Sequence, residues 1–488
     1  MRIWLTRFLW LFAIFLLVWV AVVIYWQSTS RLPSESDIVV YLGILPLAIA
    51  AVVWGGYKLA TRPAAAPAAS GSASGAAKAD ESASKNAELE RIWTINIVAA
   101  SLHTAAGSNV AEVLGKLKDG SIEPELDPEL MSPDGFAIFS ARVADLDDAA
   151  TREALAAWQT SSTSPDLIWS DAQYRALHLA AASAQQLAEQ AVQHSEIQKY
   201  LQRKEEGRPI KEDALTPLRL IALWPTAWSP EHQSAGSGWL KALVVEQGWP
   251  VHKILMQEVR PEHANPIALL DHLIVSTRRA QLPTIGILIA CDSQIDQDQV
   301  DALASANNLF GGKNAHGTKP GELAAGLLFA DAQQSESFGD LPCSSLHRAS
   351  WASRDKSADE KGRVTAELLG GLVDLALETA KLEAAKVHML CTDNDHKPSR
   401  ESELAEMFNA KLPELDLNRD VLKIAQACGS MRHSATLASL CIGHQWVVDE
   451  QEPVVCTSFQ DPVLRAVVIL SVPVEIQDLA DSGNSKTA

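Results

Sequence analysis

The chain has 488 residues, with 41 basic and 60 acidic side chains and a formal net charge of −19. Affinity for a phosphate backbone depends on clustered lysine and arginine, so this acidic balance argues against a nucleic-acid partner. Hydrophobic residues make up 47% of the chain, which excludes disorder over most of its length. The length leaves room for two or three globular units.

Two uncharged apolar runs, residues 8–26 and 38–57, lie near the N-terminus. Each run is long enough to cross the hydrocarbon core of a bilayer, about 30 Å, as a helix. Tryptophan and tyrosine side chains near the ends of the runs suit the membrane interface. The first run is longer than the apolar part of a secretory signal peptide, and no small-residue cleavage site follows it. Residues 1–62 are therefore predicted to be a membrane anchor with two transmembrane helices.

Basic residues flank the predicted helical hairpin on its outer sides. Arg2 and Arg7 precede the first span, and Lys58 and Arg62 follow the second, whereas the connecting loop, residues 27–37, contains a single arginine. Positive charge beside a span favours the cytoplasmic side of the membrane. We therefore expect a two-pass anchor in the inner membrane, with the large C-terminal part of the chain in the cytoplasm.

Residues 63–90 are rich in alanine, serine, glycine and proline and cannot bury enough apolar surface to offset the entropy of ordering. They are predicted to form a flexible linker, and residues 479–488 a disordered tail. The segment Gly71–Gly75 matches the GxSxG nucleophile motif. That motif requires a strand before it and a helix after it. Because both flanks belong to the linker, we interpret the match as a coincidence.

Beyond the linker, short aliphatic runs alternate with longer helical patterns, which predicts an α/β fold with mostly parallel or mixed sheets. Predicted strands are Leu218–Trp224, Ala242–Glu246, Thr284–Ala290, Ala324–Ala330, Val387–Cys391, Pro453–Phe459 and Arg465–Val472. Predicted helices are Asp171–Tyr200, Asn265–Gln281, Gly362–Ala384 and Met431–Val447. We divide this part into an N-terminal half, residues 91–340, and a C-terminal half, residues 341–478.

Sequence signatures of metal and nucleotide sites are absent: no HExxH, CxxC, GxGxxG or GxxxxGK[ST] occurs. The segment Gly311–Gly321 has glycines and lysines that could wrap an anion, but without the GK[ST] element it is predicted to be a polar surface loop. The thirteen histidines lack ligand spacing, so we expect no metal and no cofactor. The six scattered cysteines are expected to be reduced, buried thiols, with disulfides as the alternative.

The final third of the chain contains an ordered set of motifs. Residues 319–329 read KPGELAAGLLF, residues 387–391 form a predicted strand followed by acidic residues, and residues 427–438 read ACGSMRHSATLA before a predicted helix. Together with the closing strands near Ser458–Pro462, this order resembles the ketosynthases of the thiolase superfamily. The resemblance spans Thr216–Val474 and implies a thiolase-like layered fold.

Catalysis in that superfamily requires a cysteine thiolate at the start of a buried helix and histidines that stabilise an oxyanion. The corresponding helix here begins near Asn265 and Pro266, without a cysteine. The segment Cys391–Asp395 stands where a ketosynthase has its first histidine, and Cys428–Ser430 stands at the second histidine loop.

Histidines occur near these positions but are displaced. His396 and His433 follow the two expected sites, and His316 belongs to an Ala-His-Gly-Thr tetrad that comes before the PGE element and is therefore out of order. Cys291 falls on a strand and is expected in the core. We therefore assign no catalytic, cofactor or metal residue and favour a non-catalytic scaffold over an enzyme.

A membrane hairpin, a linker and a degenerate α/β domain together resemble the type VI secretion lipase adaptors. That resemblance implies an adaptor that binds a phospholipase effector in the cytoplasm and delivers it to the spike protein for export. Removing the five basic and two acidic residues of the anchor leaves a net charge of −22 on the remainder, which favours a basic patch on a partner. Two alternatives remain: a thiolase-like acyl-transfer enzyme, which would need Cys291 or Cys428 exposed beside a histidine, and a structural subunit of an inner-membrane complex.

Overall fold

The computed structural model describes residues 88–122, 125–162, 167–208, 215–259, 264–312 and 314–473. The predicted membrane spans, the GxSxG match, the tail and nearly all of the linker lie outside these residues. Residues 88–90, predicted as the end of the linker, are helical, and Glu90 forms an ion pair with Arg279 at 2.7 Å. Within the described ranges, no helix is both long and apolar enough to cross a membrane.

Thirteen strands occur in the described part of the chain. They are β1 (Ile95–Thr104), β2 (Glu125–Met131), β3 (Ala137–Ser140), β4 (Leu218–Leu223), β5 (Ile254–Gln257), β6 (Ile285–Ser293), β7 (Glu322–Ala330), β8 (Ser344–Leu346), β9 (Ser350–Ser353), β10 (Met389–Thr392), β11 (Val421–Lys423), β12 (Val454–Ser458) and β13 (Leu464–Ser471).

The α-helices of the same ranges surround and connect these strands. They are α1 (Val110–Lys118), α2 (Ala149–Ser161), α3 (Asp171–Ala191), α4 (Ser195–Glu205), α5 (Pro230–Glu246), α6 (Pro266–Arg279), α7 (Gln297–Ser305), α8 (Ala332–Glu336), α9 (Glu367–Ala380), α10 (Pro398–Lys411), α11 (Ile424–Cys428) and α12 (Arg432–Glu450).

One mixed sheet contains most of the strands, in the order β11-β10-β12-β13-β8-β1-β7-β6-β4-β5, with β9 paired to β13. Pairing is parallel at the two ends, between β4 and its neighbours β5 and β6 and between β10 and its neighbours β11 and β12. The five central pairs, from β12 to β6, are antiparallel. The expected α/β fold is confirmed with a mixed sheet, and its antiparallel centre means that the sheet is not mostly parallel.

The sheet consists of two halves with the same topology. In chain order, the first half uses β1, β4, β5, β6 and β7, and the second uses β8, β10, β11, β12 and β13. In each half, the strands lie in the spatial order third, second, fourth, fifth, first, and the two first strands, β1 and β8, pair with each other. Helices α5 and α10 are the crossovers between the second and third strands, as parallel neighbours require. Helices α6 and α12 therefore occupy equivalent positions before the fourth strands.

The core explains why these two helices lie inside the molecule. Side chains of α6 and α12 belong to one buried cluster that also contains residues from β6 and β7 in the first half and from β12 and β13 in the second. Helices α3, α4 and α5 cover the outer face of the first half, and α9 and α10 cover that of the second. The helices α6 and α12 are therefore a central layer, and the start of α6 is buried, whereas α12 becomes buried from Ser434 onward.

Two of the predicted elements are wrong in type or extent. The predicted strand Ala242–Glu246 is the last part of α5, because the N-cap hydroxyl of Ser229 and the following Pro230 start a helix that continues through this apolar run. The predicted helix Asp171–Tyr200 is two helices, because α3 ends at Ala191 and the His194 side chain caps a new start at Ser195.

Candidate functional site

The resemblance leads us to expect a ketosynthase nucleophile at the start of α6, and Asn265 is the N-cap residue there. The Asn265 side-chain oxygen accepts hydrogen bonds from the backbone N–H groups of Ile267 (3.1 Å) and Ala268 (3.2 Å). Its amide nitrogen donates to the hydroxyl of Ser458 at the end of β12, at 2.9 Å. Two free N–H groups at the positive end of the helix are therefore hydrogen-bonded within the chain.

Asp393, directly after β10, accepts four hydrogen bonds at this site. Its Oδ2 atom accepts hydrogen bonds from the hydroxyls of Ser458 (2.7 Å) and Thr436 (2.8 Å). Its Oδ1 atom accepts from the backbone N–H groups of Phe459 (2.9 Å) and Gln460 (3.2 Å). Burial raises the pKa of Asp393, although these hydrogen bonds act to lower it.

Four side chains at the site are joined by hydrogen bonds to one another. Asn265, Asp393, Thr436 and Ser458 come from α6, the end of β10, α12 and the end of β12, and all four are buried. Ser458 donates to the carboxylate and accepts from the Asn265 amide, so its hydroxyl has no imidazole as a base. This arrangement holds two halves of the fold together rather than presenting a reactive group.

The two cysteines on which an acyl-transfer reaction would depend are buried. Cys428, at the end of α11, is fully buried, and burial raises the pKa of its thiol to about 12 despite a hydrogen bond with Thr104. Cys291 lies inside β6, and burial raises the pKa of its thiol well above the ordinary value. Thiolates are the reactive form of cysteine, so both groups are held in the unreactive form. The expectation that Cys291 belongs to the core is confirmed.

The histidines named from the sequence lie around the site without joining the Asp393 network. Burial lowers the pKa of His433, on the first turn of α12, and of His396, after β10. His396 packs edge-on against the ring of Phe310, with ring centroids 5.6 Å apart. His316 is exposed, and its backbone N–H donates to the side chain of Asn314. In the described residues, no group of three or more His, Cys, Asp or Glu side chains has a metal-binding arrangement.

The glycine-rich segment Gly311–Gly321 lies between α7 and β7 and uses its own amides internally. The N–H groups of Gly311, Asn314 and Gly317 donate to backbone carbonyls within the loop, so they do not form an anion cradle. At its end the loop presses against the segment before α12. A Cβ atom on Gly321 would lie 2.4 Å from the carbonyl oxygen of Cys428, so only glycine fits there.

No family model matches the chain, and no curated protein matches it. Solved ketosynthase structures match it in fold. The ishigamide ketosynthase/chain length factor is 13% identical, with a TM-score of 0.51 and coverage of 78% of this chain and 100% of that one. The ketosynthase from module 6 of the bacillaene synthase of Bacillus subtilis is 10% identical, with a TM-score of 0.53 and coverage of 78% and 72%. A β-ketoacyl synthase from Burkholderia phymatum is 11% identical, with a TM-score of 0.50 and coverage of 78% and 100%.

The chain therefore has a ketosynthase-like fold of the thiolase type, as the motif order predicted. The sequence also located the three segments that meet at the site, the starts of α6 and α12 and the end of β10. It did not reveal the roles of Thr436 and Ser458, because single hydroxyl residues carry no motif. The pair Asn265-Pro266 is an N-cap followed by a proline at the first helical position, and this signal does identify the helix start.

Proposed function

We propose that the protein is a membrane-anchored, non-catalytic adaptor that binds a type VI secretion phospholipase effector and delivers it to the spike protein for export. The observation that carries the non-catalytic part is the occupation of the nucleophile position by Asn265, whose side chain caps its own helix and bonds Ser458. A ketosynthase needs a free thiolate at this helix start. Here the same helix end is used for structure.

The partner and the location in this proposal come from the composition and the resemblance stated above. An anchor at residues 1–62 would hold the domain at the inner membrane, and the linker would keep it within reach of cytoplasmic proteins. The acidic remainder would attract a basic surface on the effector. A domain that retains a large fold without an exposed nucleophile is suited to binding another polypeptide.

The direct test uses the full-length protein, purified in detergent, with the purified lipase effector and spike protein of the same organism. We expect the adaptor to retain the effector. The spike protein should either bind the adaptor only when the effector is present, or bind the adaptor and the effector each on its own. If the purified effector is not retained, and affinity purification of the protein from detergent-solubilised membranes returns membrane-complex subunits, a structural subunit is favoured instead.

The same preparation tests the enzyme alternative. Incubation with radiolabelled acyl thioesters should leave no acyl group on the wild-type protein, because the thiols of Cys291 and Cys428 are buried and protonated. A covalently bound acyl group that disappears in a Cys428→Ala or Cys291→Ala variant would contradict the non-catalytic role.

A further inference from the structure

The β2–β3 hairpin turns an apolar face towards solvent. Leu126 and Phe139 are paired across the two strands, and Met131 and Phe136 lie at the turn end of the same hairpin. All four side chains are exposed, Phe136 to 72% and Leu126 to 59%. Single exposed apolar residues are ordinary, but a group of four on one short hairpin is typical of an interaction surface.

The opposite face of the hairpin is fixed to the rest of the molecule. Leu130 and Ile138 pack in a small core with Ile295 and Val300. The buried carboxylate of Asp127 accepts hydrogen bonds from the hydroxyl of Ser140 and the guanidinium of Arg142, at 2.6 and 2.9 Å. A two-stranded hairpin alone is marginally stable, so these contacts are what hold the apolar face in place.

The carboxylate of Asp127, which anchors the hairpin, keeps its charge over the physiological pH range. Burial acts to raise the pKa of Asp127, but hydrogen bonds from Arg142 and Ser140 outweigh it and lower that pKa to about 2. The carboxylate is therefore charged and hydrogen-bonded at any ordinary pH. The apolar face is a preformed surface, which reduces the entropic cost of binding.

Acidic side chains surround this face. Residues 125–142 and 296–301 contain six acidic side chains besides the buried Asp127, and one basic one, Arg142, which is paired with Asp127 and Glu129. Glu125 and Glu129 are exposed on β2. On α7, the Gln297 side chain bonds both the backbone of Met131 and the carboxylate of Asp301, which places that carboxylate beside the hairpin.

The charge selects among the occupants of an apolar surface. A second copy of this chain, docked face to face, would bring two acidic rims together, and like charges at an interface cost several kcal/mol. An anionic lipid surface would be repelled for the same reason. A protein segment that combines apolar side chains with lysine or arginine complements both the face and its rim.

The apolar face continues onto Phe310, the residue before the glycine-rich segment. Phe139 packs edge-on against Phe310, with ring centroids 5.8 Å apart, and Phe310 in turn contacts His396. The ammonium group of Lys319 lies over the same Phe310 ring at 4.5 Å. A partner on the hairpin can therefore extend over this loop, where aromatic rings supply further contact area.

We propose that the exposed apolar side chains of the β2–β3 hairpin, Leu126, Met131 and Phe139 on its outer face and Phe136 in its turn, are the docking surface for the effector, and that they bind a basic, apolar segment of that protein. This inference rests on the proposed adaptor function. Backbone addition to β2 is not part of it, because Pro128 and the irregular register between Leu126 and Met131 disrupt the edge of that strand.

The test compares two double variants of the full-length protein in detergent, with the purified phospholipase effector as the probe. Leu126→Ser/Phe136→Ser should weaken binding by roughly 10- to 100-fold, as expected for loss of central apolar contacts. The matched control, Val251→Ser/Leu282→Ser, removes side chains that are 55% and 51% exposed elsewhere and should leave the dissociation constant within about twofold. Because all four residues are exposed, both variants should fold, which circular dichroism and the melting temperature check.

Charge reversal gives a second measurement. Glu125→Lys/Asp301→Lys should lower the association rate, and the wild-type affinity should fall as sodium chloride is raised from 50 to 500 mM, since screening weakens the attraction. With a photoreactive benzoylphenylalanine at position 136, irradiation should link the chain to an effector segment that contains lysine or arginine.

The outcomes separate this inference from the adaptor function. Effector binding by the wild type that is equally strong in the hairpin variant would overturn the docking surface alone. A wild type that retains no effector would overturn both proposals. Two further outcomes would overturn the inference if effector binding by the hairpin variant is unchanged. Loss of self-association would assign the surface to a second copy of the chain, and loss of flotation with phosphatidylglycerol vesicles would assign it to lipid.

Discussion

At the scale of single residues, the start of α6 is occupied by a side chain that caps the helix and links it to a neighbouring strand. The start of α6 would lower the pKa of a thiol placed there, since a helix N-terminus favours negative charge. An asparagine at the same position satisfies two N–H groups of the helix and reaches Ser458 with its remaining hydrogen-bonding group. Asn265 therefore both caps α6 and links it to β12.

Asp393 offers a residue-scale test of this interpretation. Replacement by alanine leaves the N–H groups of Phe459 and Gln460 buried without acceptors, and it should lower the free energy of unfolding by about 2 to 4 kcal/mol. Asparagine keeps an acceptor for these groups, and the hydroxyls of Thr436 and Ser458 can rotate to accept from its amide. Asp393→Asn should therefore be much less destabilising than Asp393→Ala in urea unfolding at pH 7.

The wild type and Asp393→Asn should differ in the pH dependence of their stability, because the pKa of Asp393 is raised. In the window above the unfolded-state pKa, about 3.9, the folded state binds more protons than the unfolded state, so this group lowers the stability as the pH rises through the window. The Asn variant lacks a titrating group there. Between pH 4 and 7, the free energy of unfolding of the wild type should therefore fall relative to that of Asp393→Asn as the pH rises. A difference that does not change with pH would contradict the assignment.

At the scale of elements, sequence patterns found six of the strands, β4, β6, β7, β10, β12 and β13, and the segments that form the site. Leu218–Leu223, Ile285–Ser293 and Glu322–Ala330 lie where short aliphatic runs predicted strands, because buried strands have almost no polar side chains. The hairpin and the strands β1, β5, β8, β9 and β11 were not predicted. The last four have only three or four residues each, β1 contains several small and polar side chains, and the hairpin exposes its apolar face. Pairing partners and direction depend on tertiary packing, which local periodicity does not encode.

The pairing of β6 and β7 gives an element-scale prediction. Gly286 faces Phe329 across the two strands, and a Cβ atom at Gly286 would lie 2.3 Å from the Phe329 ring. Gly286→Ala should lower stability by about 1 to 3 kcal/mol through overpacking. The double variant Gly286→Ala/Phe329→Leu should be destabilised by less than the sum of the two single changes, because the smaller side chain makes room for the methyl group.

A matched glycine separates the clash from an effect of the added methyl group itself. Gly371 lies on the exposed side of α9, and a Cβ atom there would meet nothing within 4 Å. Gly371→Ala should be neutral or stabilise the protein by up to about 1 kcal/mol, since alanine favours a helix over glycine. Equal losses in chemical denaturation for Gly286→Ala and Gly371→Ala, or additive single changes at 286 and 329, would argue against this packing account.

At the scale of the whole molecule, the duplicated topology brings two similar halves into one sheet. The two halves share strand order and direction, and the antiparallel pairing of β1 with β8 joins them. The start of α6 belongs to the first half, whereas Asp393, Thr436 and Ser458 belong to the second. The network at Asn265 is therefore an additional contact between halves.

The anchor predicted from the sequence would place this domain on one side of a membrane, and cysteine accessibility can test that topology. Cys343 is the natural cysteine that is not fully buried among the six, so the background is Cys343→Ser. Ser28→Cys lies in the loop predicted between the spans, and Ser305→Cys lies on an exposed position of α7. The positive-inside rule puts the first outside and the second in the cytoplasm.

In cells with a permeabilised outer membrane, a membrane-impermeant maleimide should therefore label Ser28→Cys, and it should label Ser305→Cys only after the inner membrane is disrupted. Alkaline carbonate should leave both proteins in the membrane fraction, because two spans of about 20 apolar residues insert stably. Labelling of position 305 before disruption would put the domain on the opposite side, away from cytoplasmic effectors, and extraction by carbonate would remove the anchor from the proposal.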